Sequence, residues 1–100
     1  MKAITSYIIM TAETAEKKAI KDYLRLKGWY VYHNLAGLGC YAGLADLTAI
    51  KKGRVLQIEV KAGKGKQSDN QNIFEYDWVI GNGGEYFCGD LDKLINYLSE

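Results

Sequence analysis

Three charged residues in the middle of the chain, Asp46, Glu59 and Lys61, have types and spacing that could perform chemistry. Glu59 and Lys61 are two residues apart in an otherwise apolar run, so in a strand both side chains point to one face. Asp46 begins the preceding β-like segment, where its carboxylate can converge on Glu59. Two carboxylates and a backbone carbonyl suit Mg²⁺, and a nearby lysine can orient or deprotonate water and offset charge on phosphorus. The pattern indicates metal-dependent phosphodiester hydrolysis.

A simpler interpretation of the same run is an amphipathic edge strand whose polar face lies in water. Alternation along residues 54–62 places four side chains on a dry core face: Leu56, Ile58, Val60 and Ala62. The opposite face carries Val55, Gln57, Glu59 and Lys61. Burying the glutamate and the lysine is costly unless they serve a purpose. Only their context, with Asp46 upstream, favours the catalytic interpretation.

Patterning predicts the elements that must position these residues. Helices are expected at 12–27 with Thr11 as N-cap, at 69–80, and after an Asp90 cap at the end of the chain. Strands are expected at 29–33, 46–50, 54–62 and 85–88, with a tight turn at 51–53 and flexible glycine-bearing loops at 34–45 and 63–68. The sequence therefore predicts one α/β domain over residues 1–100, a central mixed β-sheet flanked by helices in the order αβββαβα.

Composition excludes several classes of protein. Two cysteines and one histidine are too few for a disulfide framework or a four-ligand zinc site. The apolar segment 3–10 is short and interrupted by Thr5 and Ser6, so it is not expected to be a secretory signal, and no apolar run has the length of a membrane span. We therefore expect a soluble cytoplasmic protein with reduced thiols.

The formal net charge is only +1, but the charge is divided along the chain. Residues 1–66 hold twelve basic and five acidic side chains, whereas Lys93 stands alone against seven acids in residues 67–100. The basic part contains the strands and loops that would meet phosphates. Five cations there could bind a nucleic-acid backbone: Lys51, Lys52, Arg54, Lys64 and Lys66.

The run GLADLTAIKKGRVLQIEVKAG at 43–63 resembles the PD-(D/E)xK nuclease superfamily, and most closely its small VRR-NUC branch of virus-type replication-repair nucleases. That branch occurs in phage proteins and at the end of a eukaryotic DNA-repair nuclease. The resemblance extends over nearly the whole chain and includes KGWYVYHN at 27–34, SDNQ at 68–71 and GNGGEYF at 81–87. Ala45 stands where the superfamily pattern has proline, a position that orients the strand and binds no metal.

This resemblance implies a restriction-endonuclease-like fold and a set of roles. Asp46, Glu59 and the carbonyl of Val60 would bind Mg²⁺, with Mn²⁺ as a substitute, and Lys61 would be catalytic. Gln71 would assist at the site, and Glu16 would contribute an outer or second-metal carboxylate. For Glu16, as for Glu13, a favourable place near a helix N-terminus is an alternative explanation.

The expected activity is that of a metal-dependent DNA endonuclease, acting on branched or Holliday-junction DNA as a homodimer; a phage origin would agree with the resemblance. Three alternatives stay open: a non-catalytic DNA-binding module on the same fold, a protein-interaction subunit with an acidic C-terminal third, and a restriction-type endonuclease. Other candidates have simpler explanations. Ser68 is also a helix N-cap, His33 is structural or a phosphate contact, and Tyr41 in its glycine loop could stack on a base.

Overall fold

The computed structural model describes residues 11–99, which form three α-helices, one π-helical turn and one four-stranded sheet. The helices are α1 (Ala12–Leu26), α2 (Asp69–Tyr76) and α3 (Leu91–Leu98). The strands are β1 (Tyr30–His33), β2 (Leu47–Lys51), β3 (Arg54–Val60) and β4 (Glu85–Gly89). The predicted order αβββαβα is confirmed. The apolar segment 3–10, which is not expected to be a secretory signal, lies outside the described residues.

The sheet is mixed, with its strands in the order β1-β2-β3-β4. The β1–β2 and β2–β3 pairs are antiparallel, whereas β3 and β4 are parallel and are connected through α2 and the π-helical turn Asp77–Gly81. One face packs on Ile20 and Leu24 of α1 and Leu94 of α3. On the opposite face, the ring of Phe74 in α2 contacts that of Tyr86. Helices therefore cover both faces of β3.

The hairpin between β2 and β3 turns at Lys52 and Gly53, as predicted. Both residues have positive φ angles, 50° and 83°, which is the backbone geometry that a two-residue turn between right-twisted strands requires. The turn fixes the register in which Leu47 pairs with Ile58. Because the register is fixed, the start of β2 and the end of β3 meet at the same end of the sheet.

The predicted helix at 69–80 is divided in the structure. Regular α-helix ends at Tyr76, and the wider π-helical turn Asp77–Gly81 follows. The indole N–H of Trp78 donates to the carbonyl of Glu85 at 2.7 Å, and a Cβ at Gly84 would collide with that indole. The missing side chain at Gly84 therefore makes room for the tryptophan that connects the turn to β4.

A buried ring of polar side chains joins β1, β2 and β3 next to the end of the sheet where Asp46 lies. Thr48 donates to Asn34 Oδ1 at 2.7 Å, Asn34 donates to Gln57 Oε1 at 2.9 Å, and Gln57 donates to Thr48 Oγ1 at 2.9 Å. Asn34 also donates to the carbonyl of Ala45 at 3.0 Å. The ring therefore holds both ends of the 34–45 loop against the sheet. Within residues 11–99, no helix is long and apolar enough to cross a membrane.

Replacing Thr48 by valine should lower the free energy of unfolding by about 1–3 kcal/mol, because it leaves polar atoms of Asn34 and Gln57 unpaired in a buried place. Thr48→Ser, which keeps the hydroxyl, should cost less. Chemical denaturation of the two variants measures the difference. Equal stability of the valine and serine variants would show that the ring does not hold the loop.

Candidate functional site

Asp46 and Glu59 meet where β2 begins and β3 ends. The backbone N–H of Asp46 donates to the carbonyl of Ile58 at 3.0 Å, which extends the antiparallel pairing by one residue beyond β2. The Oδ2 atom of Asp46 accepts a hydrogen bond from the backbone N–H of Val60 at 2.8 Å. Backbone pairing therefore places the two carboxylates side by side, in the arrangement that the sequence predicts.

A third carboxylate comes from α1. Glu13 lies in the first turn of this helix, which Thr11 caps by accepting from the backbone N–H of Thr14. One carboxylate oxygen from each of Glu13, Asp46 and Glu59 lies within 4.8 Å of the other two. We call these three residues the acidic cluster. Three oxygen ligands at such distances form a donor set that suits a hard divalent cation.

Glu59 is the most deeply buried member of the acidic cluster, with 1 % of its surface exposed. Its Oε2 atom accepts from Gln71 Nε2 at 3.0 Å and pairs with Lys61 Nζ at 3.2 Å. Its Oε1 atom is buried and has no hydrogen-bond partner among the described residues. Burial, together with the charge of Asp46, raises the pKa of Glu59 to about 7. A buried oxygen without a partner is costly, and a cation at the acidic cluster would satisfy it.

Two lysines approach the acidic cluster from different elements. Lys61 follows β3 and pairs with Glu59, while Lys17 of α1 lies 3.2 Å from Asp46 Oδ1. Partial desolvation opposes protonation of Lys61, but its hydrogen bond to Glu59 and the nearby carboxylate charge outweigh it and raise its pKa. Lys61 is therefore an ammonium at neutral pH. The site combines three acids with two cations.

Gln71 connects the start of α2 to the acidic cluster. Its Oε1 atom accepts from the backbone N–H of Ser68 at 2.8 Å while Ser68 Oγ accepts from its own N–H, which forms a capping box. Its Nε2 atom is then directed at Glu59. The helix-cap explanation of Ser68 is confirmed, and the cap itself positions Gln71. Gly43 lies so close that a Cβ there would collide with the backbone carbonyl of Asn70, so a glycine is required beside this cap.

Glu16, for which the resemblance implies an outer or second-metal carboxylate, is not a member of the acidic cluster. The Oε2 atom of Glu16 accepts from the backbone N–H of Leu91 at 2.9 Å, so this carboxylate binds the first turn of α3. Glu13 lies almost one helical turn earlier and occupies the position expected for Glu16. Three residues advance a helix by about 300°, so the two acids are offset by only about 60° around α1, with Glu13 at the acidic cluster and Glu16 at α3. Their order in the sequence could not distinguish them.

The remaining candidates lie around the site rather than in it. Lys21 Nζ contacts His33 Nε2 at 3.2 Å, and Tyr41 donates to Asp77 Oδ2 at 3.3 Å while its ring packs on Phe74. Cys40 and Cys88 are free thiols, and Cys88 pairs with Glu59 across the β3–β4 register. Sequence reasoning missed Lys17; its spacing of four residues from Glu13 was the available signal.

The chain matches no protein-family model, no curated protein and no solved structure. A functional conclusion therefore depends on the site itself.

In the absence of metal, the protein should become less stable as the pH rises from about 5 to about 7. Glu59 has a pKa raised from 4.5 to about 7, so between these values the folded state binds more protons than the unfolded state. The contribution of Glu59 to stability is therefore fully present below its pKa in the unfolded state, and it is lost as the pH rises through its pKa in the folded state. Denaturation in EDTA at several pH values measures this. Glu59→Gln should remove most of the slope, and an unchanged slope would contradict the assignment.

Replacing the two acids of α1 one at a time should separate their roles. Glu13→Gln should weaken Mn²⁺ binding about tenfold or more, because it removes a charged oxygen ligand. Glu16→Ala should leave Mn²⁺ affinity unchanged but lower the free energy of unfolding by about 1 kcal/mol, because the N–H of Leu91 loses its acceptor. Titration calorimetry and denaturation measure the two effects. Weaker Mn²⁺ binding in the Glu16 variant alone would reverse the assignment.

Proposed function

We propose that this protein is a metal-dependent DNA endonuclease that hydrolyses phosphodiester bonds. The observation that carries the proposal is the buried Oε1 of Glu59 inside the acidic cluster, which has no partner among the described residues, with Lys61 paired to Glu59 from the position just after β3. An edge strand with its polar face in water, the simpler interpretation of this run, does not agree with the burial of Glu59 and Gln57 or with the central place of β3. The proposal includes a restriction-endonuclease-like fold and a VRR-NUC relationship, both supported by the sequence resemblance.

The residues of the site fit a hard divalent cation such as Mg²⁺ or Mn²⁺. Glu13, Asp46 and Glu59 would hold it, and the carbonyl of Val60 is a further candidate from the resemblance. A bound Mg²⁺ supplies Lewis acidity, which favours nucleophilic attack on phosphorus and offsets negative charge there. Because the ligands must be deprotonated, the raised pKa of Glu59 makes cation affinity increase with pH up to about 7.

The chain's own residues contribute position and charge. Lys61 is held protonated beside Glu59, so its ammonium can orient a water for attack and stabilise the charge that develops on phosphorus. Gln71 fixes the rotamer of Glu59 through the capping box of α2. Lys17 pairs with Asp46 and adds positive charge where a phosphate would enter. Hydrolysis then forms a bond from the water oxygen to phosphorus and breaks one ester P–O bond. The water loses one proton and the leaving alkoxide oxygen gains one, which gives a phosphate monoester and an alcohol.

The proposal extends to branched or Holliday-junction DNA as substrate and to a homodimer as the active form. Both come from the family resemblance. One chain carries a single acidic cluster among its described residues, and symmetric cleavage of two strands takes two such sites. A stable monomer in sedimentation that nevertheless cuts both strands of a junction symmetrically would refute the dimer.

Asp46→Asn, Glu59→Gln and Lys61→Ala should each reduce cleavage in Mg²⁺ about a hundredfold or more, because the first two remove a charged ligand of the cation and the third removes the ammonium that acts on the reacting phosphate. Gel analysis of labelled DNA measures cleavage, and circular dichroism checks that each variant is folded. Tyr76→Leu, on the exposed outer side of α2, is the matched control and should cut normally. Folded variants of all three site residues that still cut would refute the proposed site.

The preferred DNA substrate can be identified by incubating the protein with linear duplex DNA, single-stranded DNA, a flap and a four-way junction, each in Mg²⁺, Mn²⁺ or EDTA. Junction or flap cleavage that EDTA abolishes supports the proposal. Salt-sensitive binding without turnover in either metal would instead indicate a DNA-binding module. Cleavage of linear duplex at one sequence would indicate a restriction-type enzyme, and absence of DNA binding would indicate a protein-interaction subunit.

A further inference from the structure

A row of three cations runs along α1 away from the acidic cluster. Lys17, Lys21 and Arg25 follow one another at four-residue spacing, so they lie about 6 Å apart along one side of the helix. Each reaches toward the sheet: Lys17 to Asp46, Lys21 to His33, and Arg25 to the carbonyl of Val31 at 3.2 Å. We call these three residues the cationic row. It starts at the acidic cluster and follows β1.

The cationic row has little acidic compensation. Among the described residues, Lys17 alone of the three forms an ion pair with a carboxylate. Asp22 also lies in the field of Lys21 and Arg25, but its ion pair is with Lys18, at 2.7 Å. The pKa of His33 is lowered mainly by desolvation and further by the positive charges of Lys21, Lys17 and Arg25. The row therefore forms a positively charged strip that suits a chain of phosphates.

Exposed aromatic rings lie beside this strip on β1. Tyr30 and Tyr32 have 68 % and 44 % of their surfaces exposed, and their ring centroids are 5.9 Å apart. Both alternate with the buried Val31, so they project from the sheet face opposite α1. β1 is the first strand in the sheet order, and no strand among residues 11–99 pairs with its outer edge. A ligand along this edge would contact the cations on one side and the tyrosines on the other.

We propose that the outer edge of β1 binds a single strand of nucleic acid, with phosphates on the cationic row and unpaired bases stacked on Tyr30 and Tyr32. The inference deepens the proposed function and rests on it. The cationic row leads along β1 to the acidic cluster, so an unpaired nucleic-acid segment bound there would adjoin the scissile phosphate. Aromatic faces beside a basic groove are the combination that binds single strands without sequence preference. Paired bases in a duplex are stacked on each other and cannot use the two rings in this way.

The alternative explanation for the cationic row is protection of a sheet edge. Lysines and arginines beside an edge strand prevent unwanted pairing with other chains, and Arg25 already covers one carbonyl of β1. That explanation accounts for the cations. It does not require two adjacent exposed tyrosines on the same strand, and these decide in favour of a ligand with π faces and negative charge.

The test is fluorescence anisotropy with labelled oligothymidine in EDTA, so that binding is measured without metal and without cleavage. Lys21→Ala/Arg25→Ala should weaken binding and reduce the slope of log affinity against log salt by about 0.7 for each phosphate that is no longer neutralised. Tyr30→Leu and Tyr32→Leu should each weaken binding about fivefold or more. Tyr30→Phe and Tyr32→Phe, which keep the ring, should bind nearly as well as the unmodified protein.

Two control variants match these changes in charge and chemistry. Lys27→Ala/Lys93→Ala removes two exposed positive charges, one at the end of α1 and one in α3, and Tyr76→Leu removes an exposed tyrosine from α2. Equal weakening by the Lys27/Lys93 pair and the Lys21/Arg25 pair would overturn the inference, as would unchanged affinity in both leucine variants of β1. If binding depends on the tyrosines but the protein cuts no DNA, the single-strand site on β1 is supported and the nuclease proposal is refuted. If the protein cuts DNA but binding does not depend on the tyrosines, the nuclease proposal is supported and the single-strand site is refuted.

Discussion

A carboxylate in the middle of a sheet is the constraint on which the rest of this structure depends. Glu59 lies on a central strand, covered from one side by α2, and only one of its two oxygens has partners among the described residues. Such a group weakens the folded state unless its environment compensates for it. Lys61, Gln71 and the N-terminal part of α1 all converge on it. The surrounding elements can be understood as what makes one buried negative charge tolerable.

The two faces of the sheet serve different purposes because β3 alternates. Leu56, Ile58 and Val60 point to the apolar core shared by α1 and α3, which supplies most of the hydrophobic burial. Gln57 and Glu59 point to the other face, where hydrogen bonds to Thr48, Asn34 and Gln71 satisfy most of their polar atoms. A single strand thereby contributes to both the apolar core and the candidate site. Its register cannot slip by one residue without exchanging the two.

The sequence allowed much of the fold and the centre of the site to be predicted, for local reasons. Thr11, Ser68 and Asp90 are all N-caps in the structure, and Lys52-Gly53 forms the expected tight turn. Asp46 and Glu59 were found because strand pairing across a short hairpin is nearly determined by the turn. Lys61 follows from strand alternation, whereas the role of Gln71 was implied by the family resemblance. These features depend on residues close to one another in the chain.

What could not be predicted depends on contacts between distant parts of the chain. The sequence could not show that Glu13 rather than Glu16 faces the acidic cluster, because that depends on how α1 is rotated against the sheet and α3. The π-helical turn at Asp77–Gly81 depends on the fit of Trp78 against β4. The polar ring of Asn34, Thr48 and Gln57 joins three strands, and no single segment contains its pattern. Rotation and packing are tertiary properties, which periodicity does not encode.

The hydrogen bond from the N–H of Leu91 to Glu16 affects when the acidic cluster can form during synthesis of the chain. It joins residues 75 positions apart and fixes the rotation of the helix that presents Glu13. During synthesis, α1 and the β2–β3 hairpin leave the ribosome before α3, so Glu13 lacks this restraint until α3 has docked. We therefore expect the acidic cluster to reach its final geometry only after α3 has packed against α1.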